Sequence, residues 1–321
     1  MQYRQLGRSA LKVSELCLGT MNFGPRTPAA ESFEILNAAL NAGINFIDTA
    51  NQYGGDLGVG ATEKILGEWL AEDKSRRDKV VIATKVHEPM SAGVNDGGLS
   101  ARHIQMACDA SLKRLGVEHI DLYQMHHIDR SAPIEEIWQA MERLISQGKI
   151  TYVGSSNFPG WAIARANENA KARHQLGLVS EQSLFNLIER RVELEVIPAC
   201  REYGLGLIPW SPLAGGLLAG APENNSGRRD SADMLKAMAQ RSQQLGLYEQ
   251  LCIELNETPS RVALSWLLHQ SGVVATIVGP ASVTQLESVL QVPEIVLNDE
   301  VLNRLDEIFP PCGEAPEAYA W

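Results

Sequence analysis

Four side chains that could bind or transfer a proton follow short apolar stretches of the sequence. Asp48, Lys85 and His126 each end one such stretch, and Tyr53 lies in the loop after Asp48. Short apolar runs bounded by polar residues are typical of buried strands. A carboxylate at the end of a buried strand is costly unless a partner compensates it. If the three strands are parallel neighbours, all four groups meet at one rim.

This set of groups suits the reduction of a carbonyl. A phenol has a pKa of about 10, and a nearby ammonium lowers it. We therefore expect Lys85 to lower the pKa of Tyr53, Asp48 to hold Lys85 charged, and His126 to orient a carbonyl oxygen. The set has no Ser or Cys positioned as a nucleophile. Because no side chain supplies a hydride, a nicotinamide cofactor is implied.

Other interpretations of these residues stay open at this point. Tyr53 could be an aromatic residue of the rim, and Asp48 with Lys85 a structural ion pair. The adjacent His126 and His127 could suggest a metal, but the alternating HxH pattern of barrel metal sites is absent. We therefore predict no metal site.

Composition excludes several classes of protein. The chain has 321 residues and a net charge of −11, which argues against nucleic acid or an anionic membrane as the main partner. The five cysteines include no CxxC pair and indicate reduced core residues. The N-terminus shows no signal peptide, and no apolar run approaches the roughly 18 residues of a membrane span. We expect a cytoplasmic protein; the sequence carries no signal of its oligomeric state.

A repeated alternation of strand and helix patterns predicts the fold. Residues 2–13 read as a hairpin, and roughly eight strand–helix units follow without a linker. We therefore predict an α/β protein in which residues 1–321 form a single (β/α)8 TIM barrel. A doubly wound open sheet is the alternative, but its glycine fingerprint is missing. Loops 86–99 and 212–232 would lie on the C-terminal face of the barrel, and an extra helix would follow Phe309.

Several stretches of the chain, spread in order over most of its length, resemble the aldo-keto reductase superfamily. They are Asp48-Thr49-Ala50-Asn51-Gln52-Tyr53-Gly54, Ala83-Thr84-Lys85, Asp121-Leu122-Tyr123-Gln124-Met125-His126, Gly154-Ser155-Ser156-Asn157-Phe158, Gln182, Trp210-Ser211-Pro212-Leu213 and Gly279.

The resemblance implies a barrel whose N-terminal hairpin plugs the bottom, and reversible NADP(H)-linked reduction of aldehydes or ketones. It makes Tyr53 the general acid, tuned by Lys85 and Asp48, and His126 the residue that orients a small-molecule carbonyl substrate. Ser156, Asn157 and Gln182 would bind the nicotinamide amide, and Trp210 would stack on its ring. The full set of implied cofactor contacts is Thr20, Met21, Asp48, Ser156, Asn157, Gln182, Trp210, Ser211, Pro212, Leu213, Gly215, Arg228, Gly279, Ser282 and Gln285.

Two features qualify the resemblance. The run after Gly279 lacks the Arg or Lys with which relatives bind the 2′-phosphate of NADPH, so NAD(H) is an alternative cofactor. Loop stretches including residues 94–104 resemble bacterial sugar ketoreductases, which makes a keto-sugar a candidate substrate.

Potassium-channel β subunits of the same superfamily offer a competing function, a non-enzymatic subunit that senses nicotinamide nucleotides. They replace the residue equivalent to His126, and its presence here favours catalysis.

Overall fold

The centre of the protein is a parallel sheet of eight strands, seen in a computed structural model that describes residues 1–220 and 232–320. The strands are β3 Leu16–Gly19, β4 Phe46–Asp48, β5 Val81–Val86, β6 Ile120–Met125, β7 Ile150–Ser156, β8 Leu178–Leu184, β9 Gly206–Trp210 and β10 Thr276–Val278. Each strand from β3 to β9 pairs with the next along the chain, and β10 pairs with β3.

The two edges of the sheet meet, which closes it into a barrel. The Leu207 amide donates to the Gly272 carbonyl at 2.8 Å, and the Val274 amide donates to the Leu207 carbonyl at 3.0 Å. These bonds join β9 to the segment that leads into β10. The predicted (β/α)8 barrel is confirmed.

Helices cover the outside of the barrel and follow each strand. They are α1 Ala29–Asn41, α2 Ala61–Glu72, α3 Ala101–Leu115, α4 Ile134–Ser146, α5 Gly160–Ala172, α6 Val192–Tyr203, α7 Ala232–Gln240, α8 Ser242–Glu254, α9 Pro259–Leu268, α10 Val283–Glu287, α11 Asp299–Ile308 and α12 Glu317–Ala320. The last of them, α12, is the predicted helix after Phe309. Within the described ranges, no helix is long and apolar enough to cross a membrane.

Glycines end two of the helices where the sequence places them. Gly116 follows α3 and Gly204 follows α6, each with a φ of 66°. This left-handed conformation costs glycine no steric strain, and it satisfies carbonyls of the last turn. Each helix therefore stops in time for the chain to return to the barrel.

The N-terminal hairpin closes the bottom of the barrel, as predicted. It pairs β1 Tyr3–Gln5 with antiparallel β2 Lys12–Ser14. At its turn, a Cβ on Gly7 would lie 2.2 Å from the Val179 carbonyl oxygen and 2.7 Å from the Gly206 nitrogen. Only glycine fits so close to the amino ends of β8 and β9. The function-bearing ends of the strands therefore lie at the other mouth.

Candidate active site

The alternation of side chains along the strands directs the predicted groups into one mouth. On β4, Phe46 packs in the cluster that fills the barrel interior, and Asp48 lies two residues further on the same side. On β5, Ala83 belongs to that cluster, and Lys85 follows it by the same spacing. Both charged side chains therefore lie directly above the apolar filling of the barrel.

Asp48, Lys85 and Tyr53 form a connected buried group. The Lys85 Nζ lies 2.6 Å from Asp48 Oδ2 and donates to the Thr49 carbonyl at 2.9 Å. It also donates to the Tyr53 hydroxyl at 3.2 Å. The Lys85 side chain is completely buried, so this ammonium depends on these three oxygens in place of water.

His126 completes the group as a neutral imidazole. Its ring centroid lies 6.0 Å from that of Tyr53, in an edge-on arrangement. Burial and the neighbouring charge of Lys85 lower the pKa of His126 to about 2. Its Nδ1 is buried without a partner in the described part of the chain. The tautomer with its proton on Nε2 therefore avoids an unpaired N–H and keeps one donor for a ligand.

Burial, more than charge, sets the protonation of Tyr53. Burial raises the pKa of Tyr53, and the Lys85 ammonium only partly offsets this, so the pKa stays above its ordinary value. Lys85 lowers the pKa of Tyr53, as expected from the sequence, but burial raises it by more. Burial lowers the pKa of Lys85, but Asp48 and Tyr53 raise it more strongly, and the result is above the ordinary value. Both groups are therefore protonated at neutral pH.

Gln124 is a member of the site that the sequence analysis missed. Its side chain is completely buried, and its Nε2 donates to Asp48 Oδ1 at 3.0 Å. The Gln182 Nε2 donates to the same oxygen at 2.8 Å. A carboxylate only accepts, so both amides must turn their nitrogens towards Asp48. Gln124 precedes His126 by two residues, and this spacing could have revealed it.

The residues predicted to hold the nicotinamide lie at the ends of β7, β8 and β9, beside this group. The Ser156 hydroxyl donates to the Gln182 carbonyl at 2.8 Å. The Asn157 Nδ2 donates to the His126 carbonyl at 3.1 Å, and its Oδ1 accepts from Trp210 Nε1 at 3.0 Å. Asn157 therefore links the carboxyl ends of β6, β7 and β9. Its φ of 57° shows that the chain turns there.

The turn after β9 holds the next predicted contacts, Ser211, Pro212, Leu213 and Gly215. Ser211 has a φ of 54° and Gly215 a φ of 69°, so the chain reverses tightly at this point. The Ser211 carbonyl accepts from Asn186 Nδ2 at 3.0 Å, which fixes the turn against the end of β8. Arg228 lies outside the described residues.

The remaining predicted contacts flank β3 and β10. The Thr20 hydroxyl donates to the Asp48 carbonyl at 2.9 Å, and Met21 beside it is half-exposed. The Gly279 carbonyl accepts from Asn22 Nδ2 at 2.9 Å, so the ends of these two strands are joined.

Ser282 and Gln285 cap a helix. The Ser282 Oγ accepts from the Gln285 amide at 3.2 Å, and the Gln285 Oε1 accepts from the Ala281 amide at 2.8 Å. This reciprocal arrangement is close to a capping box at the start of α10. The S-x-x-Q pattern was visible in the sequence. In the described structure these side chains are engaged with the backbone.

Comparison with known proteins identifies the family of the chain. The Aldo/keto reductase family model matches residues 15–309, and the chain belongs to that family. It is 49% identical to the uncharacterized oxidoreductase YrpG of Bacillus subtilis over the full length of both chains. It is 33% identical to versiconal hemiacetal acetate reductase of Aspergillus parasiticus, with 98% of this chain and 99% of the relative covered. It is 32% identical to a probable voltage-gated potassium channel subunit beta of Arabidopsis thaliana, with 99% and 100% covered.

Proposed function

We propose that the protein is a nicotinamide-dependent reductase that converts an aldehyde or ketone to the alcohol, with Tyr53 as the general acid. The observation that carries the proposal is the buried group in which Lys85 bonds both Asp48 and Tyr53. Family membership supports the same reaction class. The five cysteines are free, which suits a reducing compartment such as the cytoplasm.

Each side chain of the group has a distinct task in this reaction. The Tyr53 hydroxyl donates its proton to the carbonyl oxygen as the carbonyl carbon is reduced. The Lys85 ammonium, held charged by Asp48, stabilises the phenolate that this leaves. The His126 Nε2–H donates a hydrogen bond to the same carbonyl oxygen and fixes its position. Water then returns a proton to Tyr53.

The residues present suit a nicotinamide nucleotide. When bound, its reduced form supplies the hydride for the carbonyl carbon. Because Gln182 turns its nitrogen to Asp48, its Oε1 can accept from a carboxamide N–H. Ser156 and Asn157 would hold the same carboxamide, and Trp210 would pack on the ring.

We propose that NADH is accepted as well as NADPH. The sequence has no Lys or Arg between Arg261 and Arg304, a stretch that includes Gly279 and α10. A 2′-phosphate placed there would find no cation from this stretch of the chain. A keto-sugar stays a candidate substrate.

The test uses the purified full chain. Fluorescence titration would measure binding of NADH and NADPH, and loss of absorbance of the reduced nicotinamide would measure turnover with aldehydes, ketones and keto-sugars. We expect binding together with turnover of at least one carbonyl. If the reduced nucleotide binds but none of these carbonyls oxidises it, the proposal is contradicted.

A second candidate function is nucleotide sensing for a partner protein. The 32% identity to a protein named as a probable potassium channel subunit beta favours it. His126, which faces Tyr53, favours catalysis instead. Tight nucleotide binding without any turnover would support the sensing function.

A further inference from the structure

A row of imidazole rings leads from the catalytic group to the outside. The His126 ring, next to Tyr53, stacks on the ring of His127 with centroids 5.0 Å apart and planes 7° from parallel. The His87 ring meets His127 edge-on at 5.5 Å. The side chains of His127 and His87 are 43% and 23% exposed. They are therefore solvent-accessible polar groups beside the ring that is expected to hold the carbonyl.

Glu88 fixes how these two imidazoles present their nitrogens. Its Oε1 lies 3.3 Å from His87 Nδ1 and 3.4 Å from His127 Nε2. Since a carboxylate only accepts, the hydrogen bond to His87 requires a proton on its Nδ1, and the carboxylate beside His127 favours the tautomer with the proton on Nε2. Burial lowers the pKa of His127, which keeps the ring neutral. Its Nδ1 is then an acceptor, as is His87 Nε2 in the tautomer with its proton on Nδ1.

The two loops that carry these residues are bonded to each other. The Asp129 Oδ2 accepts from the Leu99 amide at 2.8 Å, and the Gly98 amide donates to the His87 carbonyl at 2.6 Å. The wall formed by His87, Glu88 and His127 is thus held in place before a ligand arrives. No set of three or more His, Cys, Asp or Glu residues in ranges 1–220 and 232–320 could hold a metal.

We propose that His87, Glu88 and His127 form a polar subsite that binds hydroxyl groups on the carbons next to the substrate carbonyl. The preferred substrates are then hydroxylated aldehydes or ketones. The inference rests on the proposed carbonyl reduction. Imidazole nitrogens and a carboxylate oxygen accept hydrogen bonds from O–H groups. An alkyl or aryl group in the same place would displace the water bonded to them and offer no hydrogen bond in return.

The test compares kcat/KM for 2-hydroxypropanal and propanal. His127→Phe keeps a ring that can stack on His126 but removes both nitrogens, and Glu88→Gln keeps the shape of the side chain but removes the carboxylate. The control is His119→Phe, because the His119 side chain is 47% exposed and precedes β6 at the opposite end of the barrel. The readout is the change in the ratio on substitution, in which carbonyl reactivity and hydration cancel.

We expect the wild-type protein to favour the hydroxylated aldehyde. His127→Phe should lower the ratio roughly fivefold, the equivalent of one hydrogen bond, Glu88→Gln should lower it in the same direction, and His119→Phe should leave it unchanged. An unchanged ratio in both subsite variants would overturn the inference. A preference for a carboxylate-bearing aldehyde over 2-hydroxypropanal would show an anion site instead. Turnover of neither aldehyde would overturn this inference, and only failure with every carbonyl of the wider screen would overturn the proposed function as well.

Discussion

Replacing Asp48 with Asn removes the charge that stabilises a completely buried ammonium. Lys85 Nζ lies 2.6 Å from Asp48 Oδ2, and the Lys85 side chain is completely buried. The substituted Asn keeps a side-chain oxygen for Gln124 and Gln182, whose amides donate to Oδ1. The substitution therefore removes the charge together with the oxygen that accepts from Lys85, because the amide nitrogen then faces Nζ.

The expected cost follows from leaving one member of a buried pair uncompensated. Such a change typically costs about 3–5 kcal/mol in the free energy of unfolding. Most domains have about 5–15 kcal/mol in total, so the loss should be obvious at pH 7. Catalysis should fall as well, because Lys85 would no longer be held charged beside Tyr53.

The pH dependence gives the sign of the effect. Asp48 is the main cause that raises the pKa of Lys85 in the folded protein, and burial alone lowers it. In the wild type, the stabilisation is present below the unfolded pKa of about 10.4 and is lost as pH rises through the higher folded pKa. In Asp48→Asn the folded pKa is depressed, so Lys85 loses its proton on folding. The stability difference between the two proteins should therefore shrink as pH rises from 7 to 9.

The assay is urea unfolding of the wild type, Asp48→Asn, Lys85→Met and the double variant at both pH values. The double variant should be more stable than the sum of the single losses predicts, because it removes both charges together. Glu254→Gln, which breaks the exposed pair with Arg304, is the control and should change little. A loss below about 1 kcal/mol for Asp48→Asn, the level of an exposed pair, would refute this account.

Three further predictions concern the rest of the site. Gln124→Leu leaves Asp48 Oδ1 with one amide donor and should lower kcat/KM by about 1–2 kcal/mol of transition-state stabilisation, measured by steady-state kinetics. Burial raises the pKa of Glu181 to about 7. Its folded pKa is thus above its unfolded value, so the contribution of Glu181 to stability should fall by about 3 kcal/mol as pH rises from about 4.5 to 7. Urea unfolding of the wild type and Glu181→Gln over this range should show the contribution as the difference between the two proteins. NADH and NADPH should bind within about tenfold of each other in fluorescence titration, because no Arg or Lys near Gly279 would add the usual 1.5–3 kcal/mol of a charged hydrogen bond.

The sequence predicts the barrel and the group at its mouth because both follow from short-range patterns. Apolar runs that end in Asp48, Lys85 and His126 mark strands, and parallel strands bring their carboxyl ends to one rim. Glycines such as Gly116 mark the helix ends between the strands. Each signal lies within a few residues, so no knowledge of long-range contacts is needed.

Features that depend on packing between strands could not be predicted in the same way. An extra residue in β8, where the pairing shifts after Val153 and Leu178, brings Gln182 to the inside and leaves Glu181 outside among polar partners. The protonation of Tyr53 depends on how far its ring is buried, which no local pattern reports. The link between Glu88 and the two imidazoles joins loops that are far apart in the sequence.

The proton donor is the central claim, and Tyr53→Phe tests it most directly. The variant removes one hydroxyl, so NADH or NADPH should bind with the Kd of the wild type. Reduction of any carbonyl that the wild type uses should fall by more than about 100-fold in kcat, and Tyr3→Phe at the plugged end should not change it. Turnover by Tyr53→Phe at the wild-type rate would contradict the account.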